Sequence, residues 1–195
     1  MEKHGKISGA VIIVLAVIVL LAVVVFGWYI GGYNKAVRLD EGAKTAWSNV
    51  DTVLQRRLDL VPNLIETVKG YASHEKELFE SLAKSREKYF QAGNVGQKMA
   101  ASNELTGLLS RLLVLREAYP DLKANQNFLA LQDQLEGTEN RIAVARTRYN
   151  DATKQLNSYS REFFGSFFCR RANVEPAEYF EATDKAKTEV PQVKF

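Results

Sequence analysis

Hydrophobic and polar positions divide the chain into two regimes. From Ile7 to Asn34 there is no charged residue, and Ala10 to Phe26 is an unbroken run of 17 apolar residues that continues through Gly27, Trp28, Tyr29 and Ile30. As a helix rising about 1.5 Å per residue, Ala10 to Ile30 matches the roughly 30 Å hydrocarbon core of a bilayer. Beyond it, apolar residues recur at alternating spacings of three and four among Ala, Leu, Glu, Lys, Arg and Gln, which predicts helices with one buried stripe.

Four such stretches follow the apolar run. Leu39, Ala43, Ala46, Val50 and Val53 form the first, widened by Trp47, Leu54 and Leu58. Val61, Leu64, Val68, Tyr71, Glu75, Leu78, Leu82, Ser85 and Tyr89 form the second, a seven-residue repeat with two polar interruptions. Pro62 lies between the two, and a proline is tolerated in the first turn of a helix but not in its interior. The spacing therefore predicts a kink or tight break near Asp59 to Pro62, with Asp59 capping the new helix. Gly93, Asn94 and Gly96 predict a turn before the third stretch, Met99 to Tyr119, which Pro120 closes. In the fourth, Phe128, Leu131, Leu135, Thr138, Ile142, Ala145, Tyr149, Ala152, Leu156, Tyr159 and Phe163 keep a coiled-coil-like register. Such a helix is about 54 Å long, so the fold class predicted is all-α: an N-terminal transmembrane helix followed by an elongated antiparallel helical bundle.

The domain reading is a short N-terminal tail over 1–6, a transmembrane anchor over 7–33, a bundle over 34–164 and an irregular tail over 165–195 with sparse aromatic anchors. A cleaved signal peptide competes with the anchor, but its apolar region is typically about 7–15 residues. Trp28 and Tyr29 also stand where the aromatic belt of a spanning helix lies. Lys3 and Lys6 before the span, against Lys35, Arg38 and Lys44 after it, leave the orientation undecided.

Composition narrows the chemistry. The 195 residues carry 26 Lys plus Arg against 23 Asp plus Glu. With Glu2, Lys3 and Lys6 set aside, 24 basic and 22 acidic residues remain after the span, a balance that gives no reason to expect a nucleic-acid partner. One Cys and two His exclude a disulfide framework and a Cys-rich zinc site. His74 has Glu75 and Glu77 beside it but no second His in the domain, and reads as an exposed or capping residue. Cys169, flanked by phenylalanines and arginines, lacks a positioned base and reads as a packed or tolerated thiol, with an intermolecular disulfide as the alternative. No metal, cofactor or catalytic constellation emerges, so no enzymatic activity of its own is expected.

Three stretches resemble the LemA family: Tyr33-Asn34, Ala46 to Leu78 (AWSNVDTVLQRRLDLVPNLIETVKGYASHEKEL) and Tyr119 to Asn150 (YPDLKANQNFLALQDQLEGTENRIAVARTRYN). The closing Pro191, Val193 and Phe195 match the family's Pro-x-Val-x-Phe ending. The resemblance implies a membrane-anchored antiparallel bundle in the bacterial inner membrane or plasma membrane, without an activity established across the family. Some members look like lipoproteins, with a lipobox Cys before the Tyr-Asn pair. Gly31 and Gly32 stand there instead, so the anchor rests on the apolar span, and analogy with those members places the bundle outside the cytoplasm.

Two polar groups remain as candidate sites. Arg56, Asp59, Asn63 and Glu66 share one helical ridge if Pro62 only kinks the helix, and Glu136, Glu139, Asn140, Arg141 and Arg146 offer complementary groups on the fourth helix. They predict either an inter-helix network that sets register or a surface for a ligand or partner. Val193 and Phe195 present an apolar-x-apolar pattern suited to β-augmentation on an envelope partner, or to packing on this bundle or a second copy. The function expected is a self-associating envelope scaffold held in the lipid bilayer through 7–33. The alternative is an accessory subunit, regulator or substrate of a membrane enzyme such as a protease or phosphatase.

Overall fold

The computed structural model describes residues 9–181. Among the described residues the protein is all-α, with α1 (Gly9–Lys69), α2 (Lys76–Gln91), α3 (Val95–Leu115), the short α4 (Pro120–Lys123), α5 (Gln126–Arg161) and α6 (Phe163–Arg171). They fall into two compact units, one within Met1–Gly42 and Gln155–Pro176, the other within Ala43–Lys154 and Ala177–Phe195. The division cuts through α1 and α5.

The second unit is the helical bundle. Its core draws Val50, Leu54, Val61 and Leu64 from α1, Leu82 and Tyr89 from α2, Leu105 and Leu112 from α3, and Leu135 and Ile142 from α5. Trp47 stacks edge-on to Tyr149, Arg57 reaches Glu139, and Tyr71 accepts from Asn125. Contacts that climb α1 therefore descend α5, and the two run antiparallel. Asn94 caps α3 by accepting from the Gln97 N–H at 2.8 Å, while the Gln97 side chain accepts from the Gly93 N–H at 2.8 Å. This reciprocal pair fixes the turn that the glycines predicted. Asn125 caps α5 in the same way through the Phe128 N–H.

The break expected at Asp59 to Pro62 does not form. Helix α1 passes through Pro62 and stops at Lys69, so the predicted second stretch is divided at Gly70 to Glu75 instead. Proline has no N–H to give the carbonyl four residues back, which is that of Leu58. Arg86, from α2, supplies the missing donor: its Nε lies 3.2 Å from the Leu58 oxygen. The prediction is a compensating pair. Arg86→Met orphans the carbonyl and lowers stability by about 1 kcal/mol, and Pro62→Ala in that background recovers most of the loss. Chemical denaturation of the four proteins of the cycle measures the coupling.

The first unit contains the apolar span, α6 and the end of α5. No position in the most apolar window of α1, with a mean hydropathy of 3.5, is buried. The region predicted to be irregular from Gly165 instead begins in a helix. Glu162 adopts an extended conformation (φ −67°, ψ 148°), which ends α5 at Arg161 and leaves Phe163, expected in the seam, 84% exposed. Helix α6 then closes with a left-handed Asn173 (φ 55°). The Val174 N–H returns to the Cys169 carbonyl at 2.9 Å and the Asn173 N–H to that of Arg170 at 3.3 Å. These bonds form a Schellman stop, in which asparagine tolerates the conformation that glycine usually supplies. Only after it does the chain become irregular, tied down through Val174 and, in the second unit, through Phe180.

Candidate functional site

The bundle interior contains two linked polar layers. The first centres on Arg57, which is fully buried. Val50, Leu54, Arg57, Val61, Leu64 and Val68 follow one alternating register, so the α1 stripe itself carries Arg57 into the core. Its Nη1 donates to Thr106 Oγ1 at 2.9 Å and to Glu139 Oε1 at 2.5 Å. Its Nη2 donates to the Ser102 hydroxyl at 2.6 Å and to the Ser102 carbonyl at 3.0 Å. One guanidinium thereby joins α1, α3 and α5. Arg146, half-buried, lies with its guanidinium carbon 4.1 Å from the centre of the Phe180 ring. Burial and the charge of Arg57 hold its guanidinium below the ordinary value, with Glu139 acting in the opposite sense.

The second layer centres on Asp51. Its Oδ1 accepts from Tyr89 at 2.6 Å and from Lys98 at 2.7 Å, and its Oδ2 accepts from Gln55 at 2.8 Å. It links α1, α2 and α3. Burial alone would raise the carboxyl, but the bonds from Lys98 and Tyr89, the charge of Lys98 and the bond from Gln55 outweigh it and hold Asp51 below its ordinary range. Burial and Asp51 push the Tyr89 phenol well above its ordinary value, against a smaller pull from Arg57.

The two shifts predict stability losses at opposite ends of the pH scale. A depressed carboxyl stabilises the fold above its unfolded value of about 4, and that contribution is lost as the pH falls through the lower folded value. A raised phenol stabilises below its unfolded value of about 10, with the contribution lost as the pH rises beyond it. In thermal melts, the wild type should lose its advantage over Asp51→Asn in acid and over Tyr89→Phe in alkali.

Of the residues predicted from sequence, Glu139 and Arg146 lie beside the first layer. Arg56, Asp59, Asn63 and Glu66 form the exposed outer ridge of α1, and it is the neighbouring Arg57 that points inward. The reason is angular: one residue turns a helix by about 100°, which separates the surface from the core. Asp59 approaches Arg86 at 3.9 Å, while Glu66 borders a surface groove of about 380 Å³ beside Pro62. Glu136 and Glu139 border another groove of about 380 Å³ with Thr106, Leu109, Leu113 and Leu135. Asn140 and Arg141 are exposed, as is His74. Cys169 is buried, and burial together with the charge of Asp40 pushes its thiol up. Val193 and Phe195 lie outside the described residues.

Chemically, these layers hold hydrogen-bonded charge in place. Asp51 is ionised and triply bonded, Tyr89 is held as a neutral donor, and both terminal nitrogens of Arg57 are engaged. Among the described residues no group of three or more His, Cys, Asp or Glu side chains is placed to hold a metal ion.

The LemA family model matches residues 46–195, which contain both layers. The chain belongs to the LemA family. This LemA-family chain is also 24% identical over 216 residues to Magnetosome protein MamQ 2 of Paramagnetospirillum magneticum, covering 97% of the chain and 79% of that relative. It is 24% identical over 213 residues to Magnetosome protein MamQ of Magnetospirillum gryphiswaldense, at 95% and 78% coverage. Protein LemA of Metamycoplasma hominis is 20% identical over 163 residues, at 83% and 74% coverage. Together with the exposed apolar helix, the family makes this a membrane-associated protein.

Proposed function

We propose that the protein is a single-pass membrane scaffold of the cell envelope, without catalytic activity of its own, whose bundle stands outside the cytoplasm and associates with copies of itself. The observation that carries this reading is the use of α1: one helix supplies both the apolar span and, through Arg57 and Asp51, the central member of each polar layer. Arg57 and Asp51 are thus engaged in holding helices together. Outward, the bundle offers charged ridges and grooves bordered by charged residues, surfaces suited to protein contacts. The curated relatives, two of them named as magnetosome proteins, support a structural role at a membrane.

Chemical crosslinking of the detergent-solubilised full-length protein, followed by mass analysis, tests the reading. A ladder of self-multiples is expected. One stoichiometric foreign band would replace the scaffold with an accessory subunit, and an uncrosslinked monomer would remove self-association altogether.

A further inference from the structure

Helix α6 leaves three aromatic side chains without protein neighbours enough to cover them. Phe163 is 84% exposed, Phe164 55% and Phe167 40%. A cluster of this kind on a protein surface marks an interaction site. Its position identifies the occupant. Phe164 and Phe168 pack edge-on against Trp28 at ring separations of 5.1 and 5.0 Å, and Phe167 lies 6.4 Å from Tyr29. Trp28 and Tyr29 end the apolar span, so the phenylalanines continue the lipid-facing surface at the level where aromatic side chains meet the headgroups. The buried Phe168 fixes this placement by sitting over Gly32, where any Cβ would overlap its ring.

The charges beside the cluster fit the same partner. Arg161 precedes the helix, Arg170 and Arg171 close it, and all three are exposed. Glu162 and Glu175 are the acidic side chains flanking the helix in sequence. A short helix with aromatic residues on one side and arginines at its ends has the makings of an interfacial segment, its rings entering the acyl boundary and its guanidinium groups reaching phosphate.

We infer that α6 is a second membrane contact, lying in the interface of the leaflet that α1 enters and inserting Phe163, Phe164 and Phe167 among the lipids. The inference rests on the anchor reading of α1 and not on self-association. Its effect would be to fix the first unit against the bilayer surface at two points, the span and the helix beside it.

The test uses full-length protein reconstituted in vesicles of equal parts phosphatidylcholine and phosphatidylglycerol. Single cysteines at Phe164→Cys, Val19→Cys and Ser110→Cys, each in a Cys169→Ala background, carry an environment-sensitive NBD label. A lipid with a doxyl group high on its acyl chain should quench the Phe164 site, one with the doxyl group deep on the chain should quench the span site Val19, and neither should quench Ser110. Because Cys169 is buried and its replacement could loosen α6, unmodified protein is also photocrosslinked to a phosphatidylcholine with a reactive acyl chain. Adducts are expected on the tryptic peptide Glu162–Arg170. A quenched Val19 with an unquenched Phe164 and no adducts on that peptide overturns the inference and leaves the anchor standing, whether the Phe164 label then reports water or a covering protein. If Val19 is also unquenched, the anchor reading fails and the inference falls with it.

Discussion

Replacing Arg57 with alanine should lower the stability of the bundle by about 3–5 kcal/mol, the range for removing one partner from a buried charged network. Four hydrogen bonds vanish with the guanidinium, and the hole it leaves opens between α1, α3 and α5. Arg57→Met should recover more than half of the loss, because a flexible apolar chain of similar reach refills the space without a charge to desolvate. Glu139→Gln keeps an acceptor while removing the countercharge, and should cost about 1–2 kcal/mol, less than Arg57→Ala because the Glu139 side chain is 42% exposed and water can replace part of its role. Denaturant unfolding of the full-length protein in detergent, followed through the emission of Trp47 against Tyr149 and Phe180, gives the differences. An Arg57→Ala protein within about 0.5 kcal/mol of the wild type would show the network to be ornamental, since that is the scatter of ordinary surface substitutions.

The helices of this bundle were legible because their apolar stripes repeat with few interruptions. The α5 register from Phe128 to Tyr159 survives in the structure, as does a turn at Gly93 and Asn94 before α3. What was not legible depended on partners distant in sequence. Pro62 reads as a helix break until Arg86, 24 residues later, supplies the donor that it lacks. Arg56 and Arg57 are chemically identical neighbours, and counting polar groups along a ridge selects the exposed one. The continuing heptad through Val50, Leu54, Val61 and Leu64 was the signal that Arg57 occupies a core position. The second layer was less accessible still, because Asp51, Tyr89 and Lys98 come from three helices whose rotation about their axes is settled only by packing. Helix α6 was hidden by its length: nine residues, two of them glycine and serine, are too few for periodicity to outweigh the aromatic and charged composition of a loop.

Gly165→Ala should destabilise the first unit, and the sign of that change is diagnostic. In an exposed helix interior the same substitution is favourable by up to about 1 kcal/mol, because alanine has the better helix propensity and a less flexible unfolded chain. Gly107 in α3 and Gly137 in α5 meet this condition, with nothing within 4 Å of an added Cβ, and their alanine variants should raise the melting temperature. At Gly165 an added Cβ would overlap the backbone carbonyl oxygen of Tyr159 and lie 3.0 Å from its ring Cδ2. The first turn of α6 doubles back on the last turn of α5 there, and a backbone atom, unlike the end of a long side chain, cannot rotate aside. Relieving the overlap moves α6 or bends α5, and overpacking of this kind costs about 1–3 kcal/mol. Tyr159 also donates to the Gly32 carbonyl at 3.0 Å, with the Lys35 ammonium 4.3 Å from the centre of its ring, so displacement at Gly165 is transmitted to α1 at the end of the apolar span. Hydrogen exchange should therefore show faster amides across residues 163–171 in Gly165→Ala, with the amides of the second unit unchanged. Unaltered protection of α6 together with a raised melting temperature would mean that the close approach of Gly165 to Tyr159 does not hold the helix in place.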